Sequence, residues 1–289
     1  MGTHQIVNTQ FLQVLSFNLH GFYQGFSTLR DLLLTNTPDI FCLQEHWLTP
    51  DNMNKLDNLS DNYIDVGSSA MGAAVSADIM RGRPYGGVSF LIKKINPWYV
   101  NHCYVRRALL HHKNRQMVNY QYIHPCHGTA DRDLIINSCI SDITSYIETF
   151  SDHKCIIAGD FNCNLDVNNV FSKLFNDFIC LHNLARCAVA LGSSVDYTFH
   201  NETRSCYSTI DYMLSSDVNS LIHFNVIDSG ANLSDHLILQ LLCTYNPECV
   251  IGDNVNNDMW PTVTHLRWDH YLSITVKREL VYNAFCRYC

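Results

Sequence analysis

Short apolar runs, each bounded by polar or turn residues, constrain this chain more than anything else in it. They lie at residues 13–17, 40–43, 87–92, 117–123, 155–158, 210–214 and 237–243. Their length and β-branched content suit buried strands. Helical stripes fall between them. Phe26, Leu29, Leu32 and Leu33 repeat with helical spacing, and that helix must stop before Pro38. Ile136, Ile140, Ile143, Ile147 and Phe150 step alternately by four and three, which gives one apolar face. Val170, Leu174 and Phe178, with Phe171 and Phe175, repeat the pattern. Strands alternating with helices predict an α/β fold.

The chain has 289 residues, 47% of them hydrophobic, enough for one large domain or two small ones. Its formal net charge of −8 argues against a passive nucleic-acid coat, which is usually basic. It leaves room for an enzyme that bridges carboxylates to phosphate through a metal ion. The thirteen cysteines are odd in number and form no repeating framework. Residues 1–11 lack a basic start followed by an apolar run, and no stretch approaches the roughly 20 apolar residues that span a bilayer. The expectation is reduced thiols in a nuclear or cytoplasmic protein that is neither secreted nor tied to a membrane.

Two stretches read as loops. Residues 67–86 are rich in Gly, Ala and Ser and carry Arg81 and Arg83. Residues 99–115 hold Arg106, Arg107, His111, His112, Lys113 and Arg115. The second is either a solvated loop or a contact to phosphate backbone. The tail, 246–289, opens on Pro247, turns polar, and reads as a linker beyond a folded domain at 11–245.

The ends of the apolar runs carry the chemistry. The first ends in Asn18 and the second in Gln44-Glu45. The fifth ends in Gly159-Asp160-Phe161-Asn162, Asp211 lies within the sixth, and Ser234-Asp235-His236 precedes the last. Rigid sheets place catalysts at such ends. Alone, each motif equally suits a solvated loop, a turn or a helix cap. The ordered set is far more specific.

Ser16-Phe17-Asn18-Leu19-His20-Gly21, Leu43-Gln44-Glu45-His46-Trp47-Leu48, Gly86-Gly87-Val88-Ser89-Phe90, Gly159-Asp160-Phe161-Asn162, Ser208-Thr209-Ile210-Asp211-Tyr212 and Leu233-Ser234-Asp235-His236 resemble the successive motifs of the endonuclease/exonuclease/phosphatase superfamily. Within it the chain most resembles the endonuclease domain of LINE-type non-LTR retrotransposons. Asp196-Tyr197-Thr198-Phe199 supports that choice. So does Leu266-Arg267-Trp268-Asp269, which is similar to the linker ahead of a reverse transcriptase. The resemblance implies a four-layer α/β/β/α sandwich, DNase-I-like, with the strand-end motifs converging at one end.

The implied activity is metal-dependent nicking of DNA, which needs charge neutralisation, an activated water and help for the leaving oxygen. Glu45 is the main candidate ligand for Mg²⁺ or Mn²⁺, since a hard cation favours carboxylates. The resemblance places Asn18 beside it and Asp235 near the metal or its waters. It implies that Asp160 orients or deprotonates the attacking water while Asn162 holds that aspartate or the phosphate. It implies that His236 contacts the scissile phosphate, with Asp211 fixing its tautomer and favouring its charged form. Tyr122 matches a tyrosine that reaches the phosphate or leaving oxygen. Thr198 and Ser234 are candidate DNA contacts, as are Arg106 and Arg107. His20 departs from the asparagine or aspartate of many relatives, which favours a single-metal scheme. The alternatives are an apurinic-site endonuclease or another phosphoesterase of the same fold, and an inactive truncated retroelement fragment.

Overall fold

The computed structural model describes residues 10–76, 82–94, 103–106, 109–112, 118–123, 132–151 and 154–245, with the strands between 103 and 123 described by backbone alone. In chain order the strands are β1 (Gln10–Asn18), β2 (Ile40–Gln44), β3 (Tyr63–Ser68), β4 (Val88–Lys93), β5 (Cys103–Arg106), β6 (Leu109–His112), β7 (Val118–Ile123), β8 (Cys155–Asp160), β9 (Ala185–Arg186), β10 (Phe199–Asn201), β11 (Cys206–Ser208), β12 (Asp211–Ser215), β13 (Leu221–Ile227) and β14 (Ile238–Tyr245). They form one sheet ordered β13-β14-β1-β2-β4-β3 and another ordered β5-β6-β7-β8-β12-β9. The β10–β11 hairpin stands apart from both.

The layers follow from the two-residue period of each strand, which sends alternate side chains to opposite faces. Leu12 and Val14 of β1, Ile156 and Ala158 of β8, Met213 of β12, and Leu239, Leu241 and Cys243 of β14 share one core between the sheets. Their neighbours face outward. Leu15 and Phe17 of β1 and Phe41 and Leu43 of β2 meet Leu29, Leu32 and Leu33 of the Phe22–Thr35 helix. Cys155 and Ile157 of β8 and Leu214 of β12 meet Ile136 and Ile143 of the Arg132–Thr149 helix and Phe175 and Phe178 of the Val170–Leu181 helix. Helix, sheet, sheet and helix therefore stack around three cores. Each fully buried Leu, Ile or Phe contributes roughly 1.5–3 kcal/mol. The Val170–Leu181 helix begins at Asn169, whose side chain accepts from the amides of Phe171 and Ser172 while Ser172 Oγ returns to the Asn169 amide.

The helical stripes and all the apolar runs take the structures expected of them. The two expected loops do so only in part, with 69–71 and 82–86 irregular as expected. Residues 103–106 and 109–112 are the paired strands β5 and β6, at the edge of the second sheet. Their basic residues disguised them, because backbone pairing with β7 decides the matter and edge strands tolerate charge. Gly67 and Ser68 likewise belong to β3, and Gly72–Ser76 is a short helix. A Cβ on Gly67 would meet Ser89 Oγ at 2.5 Å, so the glycine that reads as a loop signal permits close pairing with β4. The linker-like tail lies outside the described residues.

Candidate active site

Asn18 and Asp160 are the last residues of β1 and β8, in different sheets. Both point into the seam between the sheets, and Asn18 Nδ2 donates to Asp160 Oδ2 at 3.2 Å. Two residues on, Asn162 turns back in the left-handed region (φ 46°), which asparagine tolerates. Its amide donates to Asp160 Oδ1 at 2.7 Å and its side chain to Oδ2 at 2.8 Å. The buried Asp160 carboxylate thus accepts three bonds and has one orientation. Antiparallel pairing of β8 with β12 sets Asp211 directly opposite Asp160.

His236 arrives on the segment leading into β14, which is pinned on several sides. Asn232 Nδ2 donates to the His236 carbonyl at 2.7 Å, and the Leu237 amide donates to the Thr198 carbonyl at 2.7 Å. The His200 amide donates to the Asp235 carbonyl at 2.8 Å. His236 Nδ1 lies 2.9 and 3.1 Å from the two Asp211 oxygens, so it carries the hydrogen. Nε2 then faces Asp160 Oδ2 at 3.9 Å and Asp235 Oδ1 at 3.8 Å.

Burial alone would lower the pKa of His236, but the charge and hydrogen bond of Asp211, then Asp160 and Asp235, push it up to about 9. Burial, followed by the Asp211 charge, raises Asp160 to about 7 against the pull of His236 and the Asn162 amide. Burial would also raise Asp235, yet the close contact of His20 and the charges of His236 and His20 hold it below the usual carboxylate range. The site is a cationic imidazole enclosed by three carboxylates.

Thr198 and Ser234 support this geometry from behind. Thr198 has no exposed surface, and its hydroxyl oxygen accepts from the amides of Ile210 and Asp211 at 3.0 Å each. In this arrangement it sets the start of β12. Ser234 Oγ donates to the Asn18 carbonyl at 2.7 Å and accepts from the His236 amide at 3.1 Å, which ties β1 to the histidine segment.

Glu45 follows β2 in the left-handed region (φ 53°). Its Oε2 accepts from Trp47 Nε1 at 2.7 Å and from the Gly86 amide at 3.0 Å. It lies near enough to Asp160 for its charge to help raise that pKa. His20 Nδ1 sits 2.8 Å from Asp235 Oδ1. Tyr122 is in register with Gly159 across β7 and β8, but its side chain lies outside the described residues. So does the side chain of Arg106, at the end of β5, and the whole of Arg107. Sequence reasoning missed Trp47, Gly86 and Asn232, which orient Glu45 and His236. The one available signal was Trp47 two residues beyond Glu45.

Among the described residues no helix is long and apolar enough to cross a membrane. Similar folds occur among solved structures. An AP endonuclease, LMAP, from Leishmania major matches with a TM-score of 0.60 at 17% identity, covering 82% of this chain and 88% of its own. An AP endonuclease from Archaeoglobus fulgidus matches at 0.59 and 15% identity, covering 80% and 98%. The 3′ phosphatase NExo from Neisseria, bound to a product DNA hairpin, matches at 0.58 and 16% identity, also covering 80% and 98%. No curated protein matches the sequence. The model of the endonuclease/exonuclease/phosphatase family matches residues 15–236, a span from β1 to His236 that takes in every strand-end residue above, and the chain belongs to that family.

Proposed function

We propose that this protein is a divalent-cation-dependent DNA endonuclease that nicks one strand, as LINE-type elements do in target-primed retrotransposition. The observation that carries the reading is His236 Nε2, the end of the imidazole not bonded to Asp211, facing Asp160 at 3.9 Å in the seam. A cation there suits a phosphate, and a fixed carboxylate beside it suits the attacking water.

The residues fit a hard divalent ion. Both described bonds to Glu45 go to Oε2, which leaves Oε1 to a cation. Asp235 Oδ1 is buried and makes no well-aligned hydrogen bond, although His20 Nδ1 is 2.8 Å away. Glu45 and Asp235, with Asn18 Oδ1, would hold Mg²⁺ or Mn²⁺. Asp160, Asp211 and His236 also offer ligand atoms within 4.8 Å of one another. That closeness is mostly the His236–Asp211 pair itself, so we assign the ion to the Glu45 side. The ion supplies charge neutralisation at the phosphate.

The chain's own residues do the rest. Asp160, fixed by Asn162 and Asn18, takes a proton from the attacking water. The water oxygen bonds to phosphorus as the bond from phosphorus to the 3′ oxygen breaks, and the leaving 3′ oxygen takes a proton from solvent, giving a 3′-hydroxyl and a 5′-phosphate. His236 holds the non-bridging phosphate oxygens, Asp211 keeps its tautomer, and Tyr122 stands by the leaving oxygen. Arg106 and Arg107 contact the DNA backbone. Asp196-Tyr197-Thr198-Phe199 ahead of Ile210-Asp211-Tyr212 favours the retrotransposon type.

Nicking of supercoiled plasmid with Mg²⁺ tests this reading. Open circles, abolished by EDTA and by Asp160→Ala, are expected. Intact plasmid with well-folded wild-type protein would sink it. The fold likeness to two AP endonucleases supports a second reading, action at abasic sites. A duplex with one abasic analogue, cleaved much faster than the intact duplex, would favour it.

A further inference from the structure

Trp47 joins three features that the nuclease reading leaves unconnected. Its Nε1 donates to Glu45 Oε2 at 2.7 Å. Its six-membered ring presses on Gly21, where an added Cβ would lie 2.6 Å from Cε3, and the positive φ of Gly21 (101°) also demands glycine. The guanidinium of Arg83 sits over the ring, 4.9 Å from the centroid. The loop that carries Arg83 is docked by the same residues, because the Trp47 amide donates to the Gly86 carbonyl at 2.9 Å and the Gly86 amide donates to Glu45 Oε2.

Arg83 is exposed, and among the described residues no ion pair engages it. An unpaired guanidinium held over the ring that orients Glu45 is preorganised for an incoming anion, and arginine's planar fork suits phosphate oxygens. We propose, on the basis of the nuclease reading above, that Arg83 binds a backbone phosphate flanking the scissile one. Trp47 is the positioning residue that ties this contact to the orientation of Glu45.

Two measurements test the pair. The first is affinity for a fluorescent DNA duplex in EDTA across a salt series. Arg83→Gln should reduce the slope of log affinity against log salt by about 1, the signature of one lost phosphate contact. Arg83→Lys should keep the slope. The second is calorimetric titration of the DNA-free protein with Mn²⁺. Trp47→Phe keeps the ring against Gly21 but loses the donor to Glu45, and should weaken Mn²⁺ binding by about 10-fold. If that variant does not fold by circular dichroism, Trp47→Tyr replaces it with the same expectation. An unchanged slope in Arg83→Gln, or unchanged Mn²⁺ affinity in the folded Trp47 variant, overturns this inference while wild-type nicking stands. Wild-type protein that neither nicks plasmid nor binds the duplex overturns the nuclease reading with it.

Discussion

Two buried histidines sit at the ends of strands in this protein, and their surroundings push their pKa values in opposite directions. His46, just past β2, has no exposed surface. Its Nδ1 accepts from the Leu48 amide at 3.0 Å and its Nε2 donates to the Ser68 carbonyl at 3.2 Å. Gly87 lies so close that a Cβ there would meet the ring at 2.3 Å. Burial pushes its pKa down to about 4, against hydrogen bonds to the Ser68 and Val88 backbone. His236 is equally buried, yet its carboxylate neighbours push it up to about 9. Burial does not decide a histidine's charge; the partners enclosed with it do. One ring is a neutral spacer locking a loop, and the other is a cation suited to phosphate.

The sharpest way to break this contrast is to delete each ring. His236→Ala should lower the nicking rate by about 10²–10⁴-fold, in line with loss of a proton-transfer or phosphate-binding group. His46→Ala should act chiefly on stability, costing about 1–3 kcal/mol for each backbone group left without its partner, read as a shift of the urea midpoint. Similar rate losses in both variants, per folded molecule, would erase the distinction.

A milder change removes the charge that distinguishes the rings. The rate profile of the wild type should rise as Asp160 loses its proton near pH 7 and fall as His236 loses its own near pH 9. Asp211→Asn should move the alkaline limb toward neutrality, because His236 then keeps its burial penalty without its main counter-charge. A limb that stays near pH 9 would mean that another group controls it.

Stability against pH should slope in opposite senses at the two rings. His46 has a folded pKa below its unfolded value of 6.5, so its contribution is present above 6.5 and is lost as pH falls toward about 4. That loss is of order 3 kcal/mol. His236 has a folded pKa above 6.5, so its contribution is full below 6.5 and disappears as pH rises through about 9. Chemical denaturation across pH 4–9 would read both limbs, and His46→Phe should flatten only the acid one. The smallest expected effect is at Thr198. Thr198→Ser keeps the oxygen that holds the Asp211 amide and should cost under about 1.5 kcal/mol. Thr198→Val should cost about 1–3 kcal/mol by orphaning buried amides.

Much of this architecture is legible in the amino-acid sequence. Period and length identify the central strands and the three long helices, because each buries a full face and its pattern is dictated locally. The edges are not legible. β13 runs with an irregular register at Leu221 and His223, and β5 and β6 carry basic residues, so neither shows clean alternation. In the site, Asn18, Asp160, Asp211 and His236 stand out as a set through resemblance, and the structure brings those four together. Their supporting bonds have no sequence signature. Nothing in Thr198 announces that its oxygen serves two amides at the start of a strand more than ten residues later, and nothing in Gly86 announces a bond to Glu45.

The first sheet is finished by the last strand among the described residues, since β14 lies between β13 and β1. The residue whose open nitrogen faces the seam, His236, is delivered only when that strand docks. Asn18, Glu45, Asp160 and Asp211 all precede His236 in the sequence, so the cluster is complete only once β14 has paired with β1. On the nuclease reading proposed above, completion of the first sheet and completion of the site are one event.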